Sequence, residues 1–169
     1  VISAAAVEKG LKEAEIAQAK RLGFTTSRNN WNNVCNGSII IGALVFAEKI
    51  PGQAAEMIAQ ALDDIQVALA NYAPDGDWEE GLIYWAYATR YTLFTFSALQ
   101  NALGHDFGLS DLPGLRETGY FRMHGMGPSG YLFNFADSRP EAPFDVSLLW
   151  LANRYHNPDF ARFALDSYD

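Results

Sequence analysis

From Pro51 onward, Met57, Ala61, Ile65, Ala68 and Leu69 recur at steps of three and four, the spacing that lines one face of an α-helix. Pro51 suits the first turn of that helix, because its missing N–H would have no partner there, and the helix is expected to end near Tyr72. Upstream, Ser3 to about Arg21 is rich in Ala, Glu and Lys, with Ala6, Leu11 and Ile16 among its apolar positions and Gly23 as the expected stop. A second helix is expected from about Asn32 to Glu48, where Gly37 and Gly42 leave room for a neighbouring helix. A further one runs from about Glu80 to Leu103 and is closed by Gly104.

Beyond Gly104 the periodicity loosens. The stretch LPGLRETGYF reads as a short helix, while FRMHGMGPSGYLFNFAD is too rich in Gly and Pro for a helix interior and reads as loop or extended chain. Only Tyr131 to Phe135 alternates at the period of a strand. Pro143 or Phe144 is expected to start a helix through Leu151 and Tyr155, and Asn157-Pro158 a last one running to the C-terminus. The fold class is therefore all-α, a single helical domain over residues 1–169 with antiparallel helix pairs joined by short connections.

Composition narrows the function. With 169 residues, 49% hydrophobic and 14% aromatic, the chain has the makings of one globular core. A formal net charge of −8 argues against a nucleic-acid backbone as ligand, yet leaves an acidic polysaccharide open, because binding follows the local potential of a cleft. No apolar run reaches membrane-spanning length and no signal peptide is visible. The single cysteine, Cys35, has no internal disulfide partner. The sequence starts at Val1 rather than Met, so a processed or trimmed piece is expected.

Two clusters hold candidate chemistry. In YAPDGDWEEGLIYWAYATRY (72–91), the Pro74-Asp75-Gly76 turn is followed by Glu79 and Glu80, acids suited to a helix N-terminus. Tyr84, Tyr87 and Tyr91 then fall three and four apart on one face, with Arg90 beside them. Such stripes are usually core, but three phenols with a guanidinium also suit a sugar-binding or acid–base site. The second cluster is Asn29, Asn30, Asn32, Asn33 and Asn36: an Asn amide is a neutral donor that holds a carboxylate without competing for its proton. The plain alternative makes one of them a helix cap and leaves the others solvated. His124, in the Gly-rich segment, is a lone candidate, and His105 and His156 look like helix-end residues. There is no HExxH, paired Cys, EF-hand loop, P-loop or GxSxG, so no metal or cofactor is expected.

Taken together, RNNWNNVCNGSIIIGAL, YAPDGDWEEGLIYWAYATRY and FRMHGMGPSGYLFNFADS resemble, in that order, blocks of the heparinase II/III-like polysaccharide lyases, over roughly Asn29 to Asp137. The resemblance implies part of an (α/α) toroid that in the family is followed by antiparallel β-sheet domains, which would be this chain's missing partners. It implies β-elimination on a uronic-acid glycan such as heparan sulfate or alginate, in a periplasmic or secreted protein. Asn30 then matches the residue that neutralises the uronate carboxylate and Tyr84 the catalytic acid/base. His124 would be a further catalytic residue, with Asn29, Trp31, Trp85, Tyr87 and Arg90 binding substrate. Several family members place His directly after the carboxylate-binding Asn; here Trp31 follows Asn30. A second family His lies beyond the toroid, so this chain alone is expected to be weak or inactive while its parent is a lyase. The competing readings are a non-catalytic helical carbohydrate-binding or scaffold domain, and a helical module that binds protein partners.

Overall fold

A computed structural model describes residues 4–141 and 145–167. Among the described residues there are eight α-helices, two 3-10 turns and no strand, an all-helical class. The helices are α1 (Ala4–Ala19), α2 (Gly23–Thr26), α3 (Asn30–Phe46), α4 (Pro51–Leu69), α5 (Leu82–Leu103), α6 (Thr118–His124), α7 (Ser147–Tyr155) and α8 (Pro158–Asp166). The extended reading of Tyr131–Phe135 reduces to one antiparallel bridge between Met126 and Leu132.

Several ends differ from the sequence reading. α1 finishes at Ala19, and Gly23 opens the short α2 instead of closing the first helix. Ile16, expected on its apolar side, is exposed, whereas Leu11 is buried. The expected starts at Ser3 and at Pro143 or Phe144 lie outside the described residues. By contrast, Gly104 closes α5 in the left-handed conformation, its N–H donating to the Gln100 carbonyl at 3.0 Å. Asn157 caps α8 by accepting from the Asp159 N–H at 3.1 Å, with Pro158 in the first turn.

The core is built around α3, whose faces meet α4 on one side and α5 on the other. Side-chain bonds fix the directions. Near the start of α3, Asn32 Nδ2 donates to the Asp64 carbonyl late in α4 at 2.9 Å, so these two helices run antiparallel. Asn33 Nδ2 donates to Thr92 Oγ1 at 2.8 Å, and one turn later Gly37 faces Thr95, so α3 and α5 run parallel. A Cβ at Gly37 would collide with Thr95 Oγ1, which explains the missing side chain at that crossing. Ile40, Ile65, Leu69, Tyr72, Trp85 and Phe96 are fully or almost fully buried between the three helices.

The connection between α4 and α5 is held as firmly as the helices. Gly76, at φ 88°, occupies a region that side chains disfavour, and a Cβ there would strike the Thr118 backbone. Its carbonyl accepts from Thr118 Oγ1 at 2.6 Å, and Thr118 Oγ1 in turn accepts from the Trp85 indole at 2.7 Å. The turn, α5 and α6 are thus tied at one point, and that junction sets the entrance of α5 where the candidate residues gather.

Candidate functional site

α5 begins immediately after Gly81, so Ile83, Tyr84, Ala86, Tyr87 and Arg90 occupy its first turns. The 131–139 segment is laid across this end: Ile83 N–H reaches Ser138 Oγ at 3.4 Å, and a Cβ on Gly81 would press on the Phe135 carbonyl at 2.7 Å. The result is a cavity of about 310 Å³ lined by Tyr84, Tyr87 and Arg90 from α5 and by Asp137 and Arg139 from the segment above. Tyr84 is half-buried and packs on the core, while Tyr87 is 41% exposed. The rings of Tyr87 and Tyr91 meet edge to face at 5.2 Å, and Tyr91 meets Phe94 at 6.3 Å, so an aromatic ladder runs from the cavity along α5.

The cavity carries charges of both signs. Arg90 is ion-paired at 3.7 Å with the buried carboxylate of Asp145, and its buried Nε has no hydrogen-bond partner among the described residues. Arg139 makes no ion pair among the described residues. Two guanidiniums thus meet at the cavity, Arg90 offset by Asp145 behind it and Arg139 accompanied by the lining carboxylate of Asp137, on a chain of net charge −8. The Tyr87 phenol is raised above its ordinary value by partial desolvation and then by the Tyr91 phenol and Cys35, so it keeps its proton at neutral pH. Such a group donates a proton more readily than it removes one.

The Asn cluster is largely internal. Asn29 is the N-cap of α3, accepting from the Trp31 N–H at 3.2 Å. Asn32, Asn33 and Asn36 are completely buried, the first two holding α4 and α5 as described above. Asn30 is 5% exposed, and its Nδ2 donates to Glu80 Oε1 at 2.8 Å while its backbone N–H donates to Glu80 Oε2 at 2.7 Å. The same Oε2 accepts from the Trp78 indole at 3.0 Å. The amide expected to grip a substrate carboxylate therefore already grips one supplied by the chain. Glu80, expected to favour the helix dipole of its own helix, instead lies before α5 and serves the N-terminus of α3.

Trp85, expected to stack on sugar, is fully buried with its indole bonded to Thr118, so it is a core residue. Trp31 is 64% exposed and offers an open ring. His124 is not in a loop: it ends α6, lies over Tyr120 with ring centroids 5.9 Å apart, and lines a different cavity from Tyr84. Tyr84, Tyr87 and Arg90 are thus brought together; Asn30 and His124 line neither this cavity nor each other's surroundings. Arg28 bonds to Asn71 Oδ1 at 2.8–3.0 Å, and Arg122 is buried with its pKa lowered by desolvation, so neither is a cation of the cavity. Arg139 and Asp137 were missed in the sequence, since only the folding of the 131–139 segment over α5 brings them there. Among the described residues no cluster of His, Cys, Asp or Glu has the makings of a metal site, and no helix is long and apolar enough to cross a membrane.

Compared with known proteins, the chain matches no family model and no curated sequence.

Proposed function

We propose that this chain is part of the (α/α) toroid of a polysaccharide lyase that acts on uronic-acid glycans by β-elimination. The observation that carries the reading is the cavity at the start of α5, where the phenols of Tyr84 and Tyr87 face the guanidiniums of Arg90 and Arg139. The resemblance of three sequence blocks supports it, as does the alternation of an antiparallel pair, α3 and α4, with a parallel one, α3 and α5.

In this mechanism Arg90 and Arg139 draw a uronate carboxylate into the cavity and stabilise the charge that grows on it as the C5 proton leaves. Asn30, which the resemblance makes the carboxylate-binding residue, is buried against Glu80 and does not line this cavity, so the arginines take that task here. Tyr84, acting as its phenolate, takes the C5 proton and passes it to the O4 oxygen as the C4–O4 bond breaks and the C4–C5 double bond forms. Tyr87, which holds its proton firmly, hydrogen-bonds the sugar, and Trp31 and Tyr91 present rings to neighbouring sugar units. His124, which the resemblance makes a further catalytic residue, lines the separate cavity with Tyr120 and Phe121 and takes no part in these steps. Completion of the site by further β-sheet domains, and a periplasmic or secreted setting, belong to the same proposal.

The test is the absorbance of the unsaturated uronate product, followed with heparan sulfate, alginate and hyaluronan on the natural protein that carries this sequence. The expected outcome is product formation that Tyr84→Phe lowers by at least about a hundredfold, the usual scale of a lost proton transfer. An unchanged rate in Tyr84→Phe overturns the assigned role. Saturable binding of these glycans with no product from any of them favours the carbohydrate-binding reading instead.

A further inference from the structure

Separate from the cavity of Tyr84, and lined by other residues of the 131–139 segment, is a larger cavity of about 500 Å³, within the size range of small-molecule sites. Its walls are aromatic: Tyr120 and Phe121 from α6, Phe133 and Phe135 from the segment above. These rings are held by the protein itself. Phe121 meets Phe135 edge to face at 6.4 Å, Phe135 tilts on Phe133 at 5.6 Å, and Tyr120 stands against the buried Phe160 at 4.9 Å. Three carboxylates also line it, Asp75 and Asp77 from the turn before α5 and Glu117 at the N-cap of α6. None of the three is hydrogen-bonded or ion-paired among the described residues, and no Lys or Arg lines the cavity.

We propose that this cavity binds a small organic cation, an ammonium group carried on an apolar frame. The positive charge sits among Asp75, Asp77 and Glu117, and the carbons around it lie on the faces of the four rings, which attract a cation through their quadrupoles. An acidic saccharide is repelled by three carboxylates, and a neutral sugar leaves them facing one another without a counter-charge. The two cavities are thus lined by different chemistry, one with guanidiniums and phenols, the other with carboxylates and rings. His124 also lines this cavity, stacked on Tyr120 and exposed, and the inference uses neither it nor any residue lining the other cavity, so it does not depend on the lyase reading.

The experiment is a nuclear magnetic resonance titration of the 169-residue chain with choline and with its uncharged isostere 3,3-dimethylbutanol. Choline is expected to bind about tenfold more tightly, with shifts confined to residues around Tyr120, Phe121 and Phe135. The double substitution Asp75→Asn, Asp77→Asn should erase that advantage, and Phe133→Ala should weaken choline severalfold; all three positions are exposed, so the melting temperature should stay close to that of the parent. Equal affinity for the two ligands, no saturable choline binding, binding of glucose in place of choline, or an advantage that survives the double substitution each overturns the proposal.

Discussion

Replacing Glu80 by alanine removes three hydrogen bonds at once: those from the Asn30 N–H, from Asn30 Nδ2 and from the Trp78 indole. Asn30 and Trp78 are 5% and 1% exposed, so the donors left behind have little access to water. A bond to an ionised acceptor is worth about 1.5–3 kcal/mol, but the three share one half-exposed side chain and are not additive, which brings the expected loss to about 2–4 kcal/mol. Glu80→Gln keeps one carbonyl acceptor and should lose about half as much, on the order of 1–2 kcal/mol. Urea unfolding followed by tryptophan fluorescence and far-ultraviolet circular dichroism measures both, with an unchanged slope if only stability is altered. A double-mutant cycle with Asn30→Ala, which deletes the Nδ2 bond and leaves the backbone one, should give a coupling of about 1 kcal/mol. A Glu80→Ala protein within about 0.5 kcal/mol of the parent, the range of an ordinary surface change, would refute the clamp.

Three further outcomes follow from the same geometry. Gly76→Ala should destabilise by about 3 kcal/mol or more in the same urea assay, because it combines positive φ with a clash against the Thr118 backbone. Burial raises the phenols of Tyr72 and Tyr155 above their ordinary value, so above about pH 10 the unfolded chain releases those protons while the folded one keeps them, and stability falls as pH rises. Melting temperatures across alkaline pH should show that fall, and Tyr155→Phe should make it shallower. Desolvation also raises the Cys35 thiol, so iodoacetamide should modify it more slowly at neutral pH than it modifies free cysteine, with the rate recovering in urea.

The all-α class and most helix bodies were legible because their signals are local: the period of α4, Pro51 and Pro158 in first turns, and Gly104 as a left-handed stop. Gly23 misled because the chain turns at Arg21, at φ 50°, before the glycine is reached. At the candidate site, the Tyr84, Tyr87 and Arg90 face was readable from helical spacing within one segment. The roles of the Asn residues were not, since each is decided by a partner thirty or more positions away: Glu80 for Asn30, Asp64 for Asn32, Thr92 for Asn33. Trp85 likewise read as a sugar platform because nothing in its neighbourhood announces Thr118 as a partner. Arg139 entered the cavity only through tertiary contact.

The claim that the cavity at the start of α5 takes a uronate is tested most directly by calorimetric titration of the 169-residue chain with a uronic-acid tetrasaccharide and a neutral glucotetraose. The account predicts saturable binding of the acidic sugar alone, weakened about tenfold or more by Arg90→Ala together with Arg139→Ala and by added salt. Equal binding of the two sugars, or uronate binding that survives loss of both arginines, would contradict it.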